Sequence, residues 1–185
     1  KDFNETTKKH DAVRRCLNED FKCEKIAVEC LKHFVSKEAL NIDGFGKKIV
    51  EKFWELNLLK LPQDIFNLDF KKIEELEGWG KLSVSNLKYS IEKSKKVSLD
   101  RFIYAIGIRH IGQENAKLLA QHLKNIENFF KLSKTNNIEI LSNIDGIGET
   151  QIKSIRTFFS NKTNIKVLEK LKKIMKISDA ISSKK

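Results

Sequence analysis

The chain has 185 residues, with 36 lysines and arginines against 25 aspartates and glutamates, a formal charge of +11 and a pI near 9.5. That length allows one large or two small domains, and 40% hydrophobic residues are enough for a real core. The charge favours a polyanionic partner. No apolar run is long enough to span a membrane, and an odd cysteine count with a polar amino terminus gives neither a disulfide framework nor a signal peptide. Cytosolic residence is the default expectation. Lysine outnumbers arginine 31 to 5, the mark of an AT-rich genome, so part of the lysine excess is read as solvated surface.

In chain order, an amino-terminal arm runs from Lys1 to about Lys22. Cys16 and Cys23 flank its polar loop and supply at most half of a tetrahedral zinc site. His10 and His33 are further candidate ligands at unpersuasive spacings. A long helix is expected from Glu24 to Glu38, with Cys30 beside Ala27, Leu31 and Phe34 on its apolar face and therefore read as a core thiol. All eight glycines then fall in four short segments: Asp43-Gly44-Phe45-Gly46, Glu77-Gly78-Trp79-Gly80, Gly107-Ile108-Arg109-His110-Ile111-Gly112 and Asp145-Gly146-Ile147-Gly148. Their reference positions, 44, 78, 110 and 146, recur with a period near 34 residues, so one supersecondary unit is used repeatedly. Helical apolar spacing follows each, over Lys47–Leu56, Lys81–Ile91, Gln113–Leu123 and Glu149–Phe159. Between them, Pro62 suits the first turn of a short helix through Leu68, and Ser98 is placed to cap a helix opening at Leu99. The fold class that results is all-α: helix, tight hairpin, helix, four times, arranged as two pairs.

Glycine tolerates φ > 0 and lets another backbone approach closely. A glycine-lined turn that opens a helix also exposes N–H groups without internal partners at the positive end of the helix dipole, an anion site that reads no base sequence. The apolar middle residues Phe45, Trp79, Ile111 and Ile147 are expected to wedge under the hairpins. Candidate phosphate-contacting residues are Gly44, Phe45, Gly46, Lys47 and Lys48 in the first hairpin, and Gly78, Gly80 and Lys81 in the second. The third offers Arg109, His110, Ile111, Gly112 and Gln113, and the fourth Gly146, Ile147, Gly148 and Thr150. One Gly-x-Gly is as readily a glycine C-cap between packed helices; four in a basic chain point to nucleic acid. Glu77 with Trp79, and Glu149, mark the second and fourth copies as candidate spacers.

Arg15-Cys16-Leu17-Asn18, Cys23, the run His33 to Gly46, Ile91 to Lys96, and Ala105-Ile106-Gly107-Ile108-Arg109-His110-Ile111-Gly112 together resemble bacterial NAD-dependent DNA ligase over about residues 14 to 176. The resemblance implies the end of a four-cysteine zinc module (1–23), helix-hairpin-helix motifs one and two (24–96), motifs three and four (97–176), and a polar tail or linker (177–185). It implies a carboxy-terminal fragment whose role is sequence-independent gripping of duplex DNA, nicked in the physiological case, for replication and repair. Adenylation and OB-type domains of the same ligase are the implied partners. NAD and magnesium would serve the parent enzyme, and zinc would need upstream cysteines. The implied location is the bacterial cytoplasm, at the nucleoid. The family's nucleophile motif is Lys-x-Asp-Gly, whereas this chain has Asn41-Ile42-Asp43-Gly44 and Asn143-Ile144-Asp145-Gly146, so no catalytic residue is assigned. The alternatives are a hairpin module of another DNA repair or recombination protein, and a helical scaffold for protein interaction.

Overall fold

The computed structural model describes residues 3–4, 9–10, 23–134 and 137–180. It is mostly helical. Helix α1 spans Glu24–Val35, α2 Lys47–Glu55, α3 Phe70–Glu74, α4 Lys81–Ser94, α5 Leu99–Ala105, α6 Gln113–Leu123, α7 Ile126–Lys131, α8 Glu149–Ser160 and α9 Lys162–Ile174. The strands are minor. β1 (Phe3–Asn4) pairs antiparallel with β2 (Lys9–His10), and β3 (Lys96–Ser98) pairs parallel with β4 (Lys176–Ser178). Among the described residues no helix is long and apolar enough to cross a membrane.

One continuous apolar cluster runs through the described chain, from Val28 on α1 to Met175 after α9. Phe34, Phe53, Phe102 and Phe129 are its largest fully buried side chains. The first half is tied to the second by directed bonds as well as packing. Arg101 on α5 donates from Nε to the Ala39 carbonyl at 2.9 Å and from Nη2 to the Lys37 carbonyl at 2.6 Å. His33 on α1 bonds through Nε2 to the Tyr104 carbonyl at 2.7 Å, which makes Nε2 the protonated nitrogen, and its ring meets Tyr104 edge-on. Lys32 bridges α1 to α2 by its ion pair with Glu51 at 2.7 Å. Bonding to Glu29 first, and then to Glu51, holds the Lys32 ammonium above its ordinary range.

Four expectations shift in detail. α1 stops at Val35 rather than Glu38, because Ser36 leaves helical backbone and the chain turns through bonds from the Leu40 and Ile42 N–H groups to the Phe34 and Val35 carbonyls. Ser98 does precede α5, but its hydroxyl makes no cap: it sits in β3, where Ser178 donates to the neighbouring Val97 carbonyl at 3.4 Å. Pro62 opens a 3₁₀-helix, Pro62–Asn67, in which Asp64 accepts from the Lys60 and Leu61 N–H groups. The segment read as a tail begins inside β4, and the Ala180 N–H donates to the Lys124 carbonyl at 2.8 Å, fastening it to the α6–α7 corner.

Candidate nucleic-acid interface

The four glycine segments fold into the same turn. The N–H groups of Phe45, Trp79, Ile111 and Ile147 donate to the carbonyls of Ile42, Leu76, Ile108 and Ile144 at 3.0 to 3.1 Å, closing a four-residue turn each time. The third residue of each turn has φ > 0: Gly44 (78°), Gly78 (83°), His110 (61°) and Gly146 (91°). That is the requirement of a type II turn, and it explains glycine at three of the four places. In the third copy His110 takes the left-handed conformation, which histidine tolerates better than most residues. Its backbone is braced, since Asn115 Nδ2 donates to the His110 carbonyl at 3.2 Å. Phe45, Ile111 and Ile147 are buried beneath their turns and Trp79 is half-buried against Phe53, so these side chains shape the hairpins from below.

The second glycine of each segment does something else. Gly46, Gly80, Gly112 and Gly148 are the N-cap residues of α2, α4, α6 and α8, in extended backbone open to any residue. A Cβ built on Gly46, Gly80 or Gly112 meets nothing within 4 Å. The fold therefore has no steric need of glycine there. Three of these four helices, α2, α4 and α6, have no side-chain cap across the first turn. Elsewhere caps are made: Asp69 accepts from Lys71 and Lys72, Asn125 from Asn128, and Asn161 from Thr163 and Asn164. The hairpin-fronted helices keep open N-terminal donors, and a missing side chain leaves room for an anion to reach them. The fourth is partly self-occupied, because Gln151 Oε1 accepts from the Gly148 N–H at 3.2 Å and Glu149 opens α8.

Charge around the turns is uneven. Lys47, Lys48 and Lys81 stand exposed on the first turns of α2 and α4, neither of which has an acidic residue in its first turn. The residue after the apolar anchor is Asp43, Glu77 and Asp145 in three hairpins, all exposed, and Arg109 in the third. Gln113 and Thr150 are exposed at the starts of α6 and α8.

The third and fourth hairpins contact each other's helices reciprocally. His110 Nδ1 lies 3.0 Å from Ser154 Oγ on α8, while Gly146, the matching turn residue, lies so close to α6 that a Cβ would sit 2.9 Å from Leu118 Cδ1. Leu118 and Ser154 each fall eight residues beyond the turn position of their own unit, so the contact is the same one seen from both sides. Between the third hairpin and α8 lies a cleft of about 830 Å³ bordered by Arg109, His110, Thr150, Lys153, Ser154 and Thr157, with no carboxylate in its lining. The corresponding cleft of the first two hairpins, about 640 Å³, has Asp43, Gly44, Trp79, Asn86, Tyr89 and Lys93 at its edge. Lys153, Ser154 and Lys93 escaped the sequence reading because they lie one to three turns into their helices, where only the tertiary pairing brings them beside a hairpin.

Cys30, read as a core thiol, is a half-buried residue of the third-hairpin cleft: its helical face runs past the edge of the core. Burial, then the Glu29 charge, pushes its thiol up from the ordinary value. Cys16 and His10's side chain lie outside the described residues. Cys23 immediately precedes α1, and among the described residues no three metal-ligating side chains gather.

Residues 101–168 match the family model described as helix-hairpin-helix motif, covering the third and fourth turns. The chain is 70% identical over 181 residues to a DNA ligase of Pelagibacter ubique, covering 98% of this chain and 27% of that protein. DNA ligases of Rickettsia bellii and Rickettsia massiliae are 45% identical over 181 residues, covering 91% of this chain and 26% of each relative. The chain thus spans about a quarter of the length of the curated relatives it matches.

Proposed function

We propose that this chain, a segment of the bacterial DNA ligase family, grips duplex DNA by its sugar-phosphate backbone and so serves nick sealing in replication and repair. The observation that carries the reading is the set of helix N-termini fronted by glycines whose Cβ positions are open. Their free N–H donors and the lysines beside them suit phosphate oxygens and carry no base-reading element. The relatives, named as DNA ligases, agree with it. The working hairpins are the first and third, with Gly44, Gly46, Lys47, Lys48, Arg109, His110, Gly112 and Gln113. The second contributes Gly78, Gly80 and Lys81. The fourth is partly self-capped and acts mainly as a spacer that positions the third.

In the whole ligase, adenylation by NAD and the magnesium-assisted steps belong to other segments. Asn41 and Asn143 stand where that family's nucleophile motif has lysine, and an amide cannot form the lysyl adenylate. Zinc at Cys16 and Cys23 would require two further ligands. The test is an electrophoretic shift of two duplexes of unrelated sequence. Equal affinity is expected; a strong preference for one sequence, or no shift of either, would remove the backbone-grip reading.

A further inference from the structure

His110 makes a contact that fixes where its proton sits. Ser154 has one hydroxyl hydrogen, and Oγ donates it to the Thr150 carbonyl at 2.9 Å. A carbonyl can only accept, so that hydrogen is committed. His110 Nδ1 lies 3.0 Å from the same Oγ. Both contacts are satisfied together only when Nδ1 carries a proton and donates it to Ser154; the other neutral tautomer sets two lone pairs against each other. The neutral ring then has Nε2 as a bare acceptor on an exposed residue at the tip of the third hairpin. A lone pair repels a phosphate oxygen, whereas the imidazolium presents Nε2–H as a charged donor.

We infer that His110 is a phosphodiester ligand only as the imidazolium, so that the third hairpin takes up a proton when it binds DNA. This rests on the backbone-grip reading above and adds a proton linkage to it. The groups facing the ring set the sign. Arg109 on the hairpin and Lys153 on α8 share its cleft, and no carboxylate lines that cleft to favour the charged ring in free protein. On α1 the cleft holds Cys30, whose raised thiol stays neutral. On α6 Asn115 binds the His110 carbonyl, while Glu114 and Lys117 pair with each other at 2.9 Å. Glu149, the exposed first residue of α8, is the nearest acid in sequence to this contact on that helix. A bound phosphodiester would bring to this cleft the negative charge that its lining lacks.

The experiment compares this chain with its His110→Gly and Ser154→Ala variants by fluorescence anisotropy on one duplex at fixed salt, from about pH 8.5 down to about pH 5.5, across the histidine range. Glycine suits the turn, as the other three hairpins show. The parent should tighten about tenfold more over that range than His110→Gly, the scale of one charge-assisted contact. Ser154→Ala frees the ring to place its proton on Nε2, so its binding should be tighter than the parent's at high pH and less pH-dependent. Parallel profiles for parent and His110→Gly overturn the inference while leaving the backbone grip intact. No binding by the parent at any pH overturns both. Nitrogen-15 imidazole shifts give a readout independent of DNA: the Nδ1–H tautomer is expected at high pH, and the Nε2–H tautomer refutes the assignment.

Discussion

Replacing Gly46 by alanine separates the needs of the fold from those of the ligand. Gly46 has φ −70° and ψ 168°, a backbone open to alanine, and its Cβ would meet no atom within 4 Å. The folded state gains no strain; the unfolded chain loses freedom worth about 0.4–1 kcal/mol, which offsets alanine's poorer standing at an N-cap, so stability should be nearly unchanged. The new methyl is added at the N-cap residue of α2, in space that the fold leaves empty. If a phosphate oxygen docks there, losing one charge-assisted hydrogen bond costs about 1.5–3 kcal/mol, or roughly 10- to 150-fold in affinity. Urea unfolding and duplex anisotropy on the same preparation measure the two effects. Weakened binding with an unshifted urea midpoint supports the reasoning. Unchanged affinity in the stable variant would show that no phosphate reaches that N-terminus, and the open glycine would be left without a purpose.

Two further substitutions probe the architecture. Gly44→Ala suffers only its positive φ of 78°, about 1–2 kcal/mol, whereas Gly146→Ala has φ 91° and drives a Cβ to 2.9 Å from Leu118 Cδ1. Overpacking adds about 1–3 kcal/mol, so chemical denaturation should rank Gly146→Ala as the more damaging of the two. Arg101→Met removes both donors that hold the 37–39 backbone against α5, and should cost about 1–3 kcal/mol in urea unfolding with no direct effect on hairpin donors; an unshifted midpoint would mean that the Arg101 bonds add nothing to the joint between the halves.

The repeat was legible because glycine occurs nowhere outside it. Eight glycines in four places announce a backbone constraint, and the starts of α2, α4, α6 and α8 coincide with the positions read from helical spacing after each pair. Spacing alone could not divide the labour within each pair. Gly44, Gly78 and Gly146 are required by positive φ, while Gly46, Gly80 and Gly112 are not required by the fold at all. A side chain at the second glycine would therefore leave the turn undistorted. Nor could the sequence show the long-range ties. Arg101 reaches carbonyls more than sixty residues away, β3 pairs with β4 across some eighty, and His110 meets Ser154 across forty-four. Backbone carbonyls carry no sequence signature, and three-residue strands leave no readable alternation. The same limit hid Lys153, which looks like any solvated helix lysine until the reciprocal packing brings it beside the third hairpin.

The most direct test of backbone gripping is the salt dependence of binding, measured by anisotropy on nicked and intact duplexes of one sequence. If the hairpins and their lysines neutralise about 4–7 phosphates, log K should fall against log salt with a slope of roughly −4 to −6, with little preference between the two duplexes. A slope near zero, or no binding even at low salt, would contradict the account and leave the hairpins as packing devices.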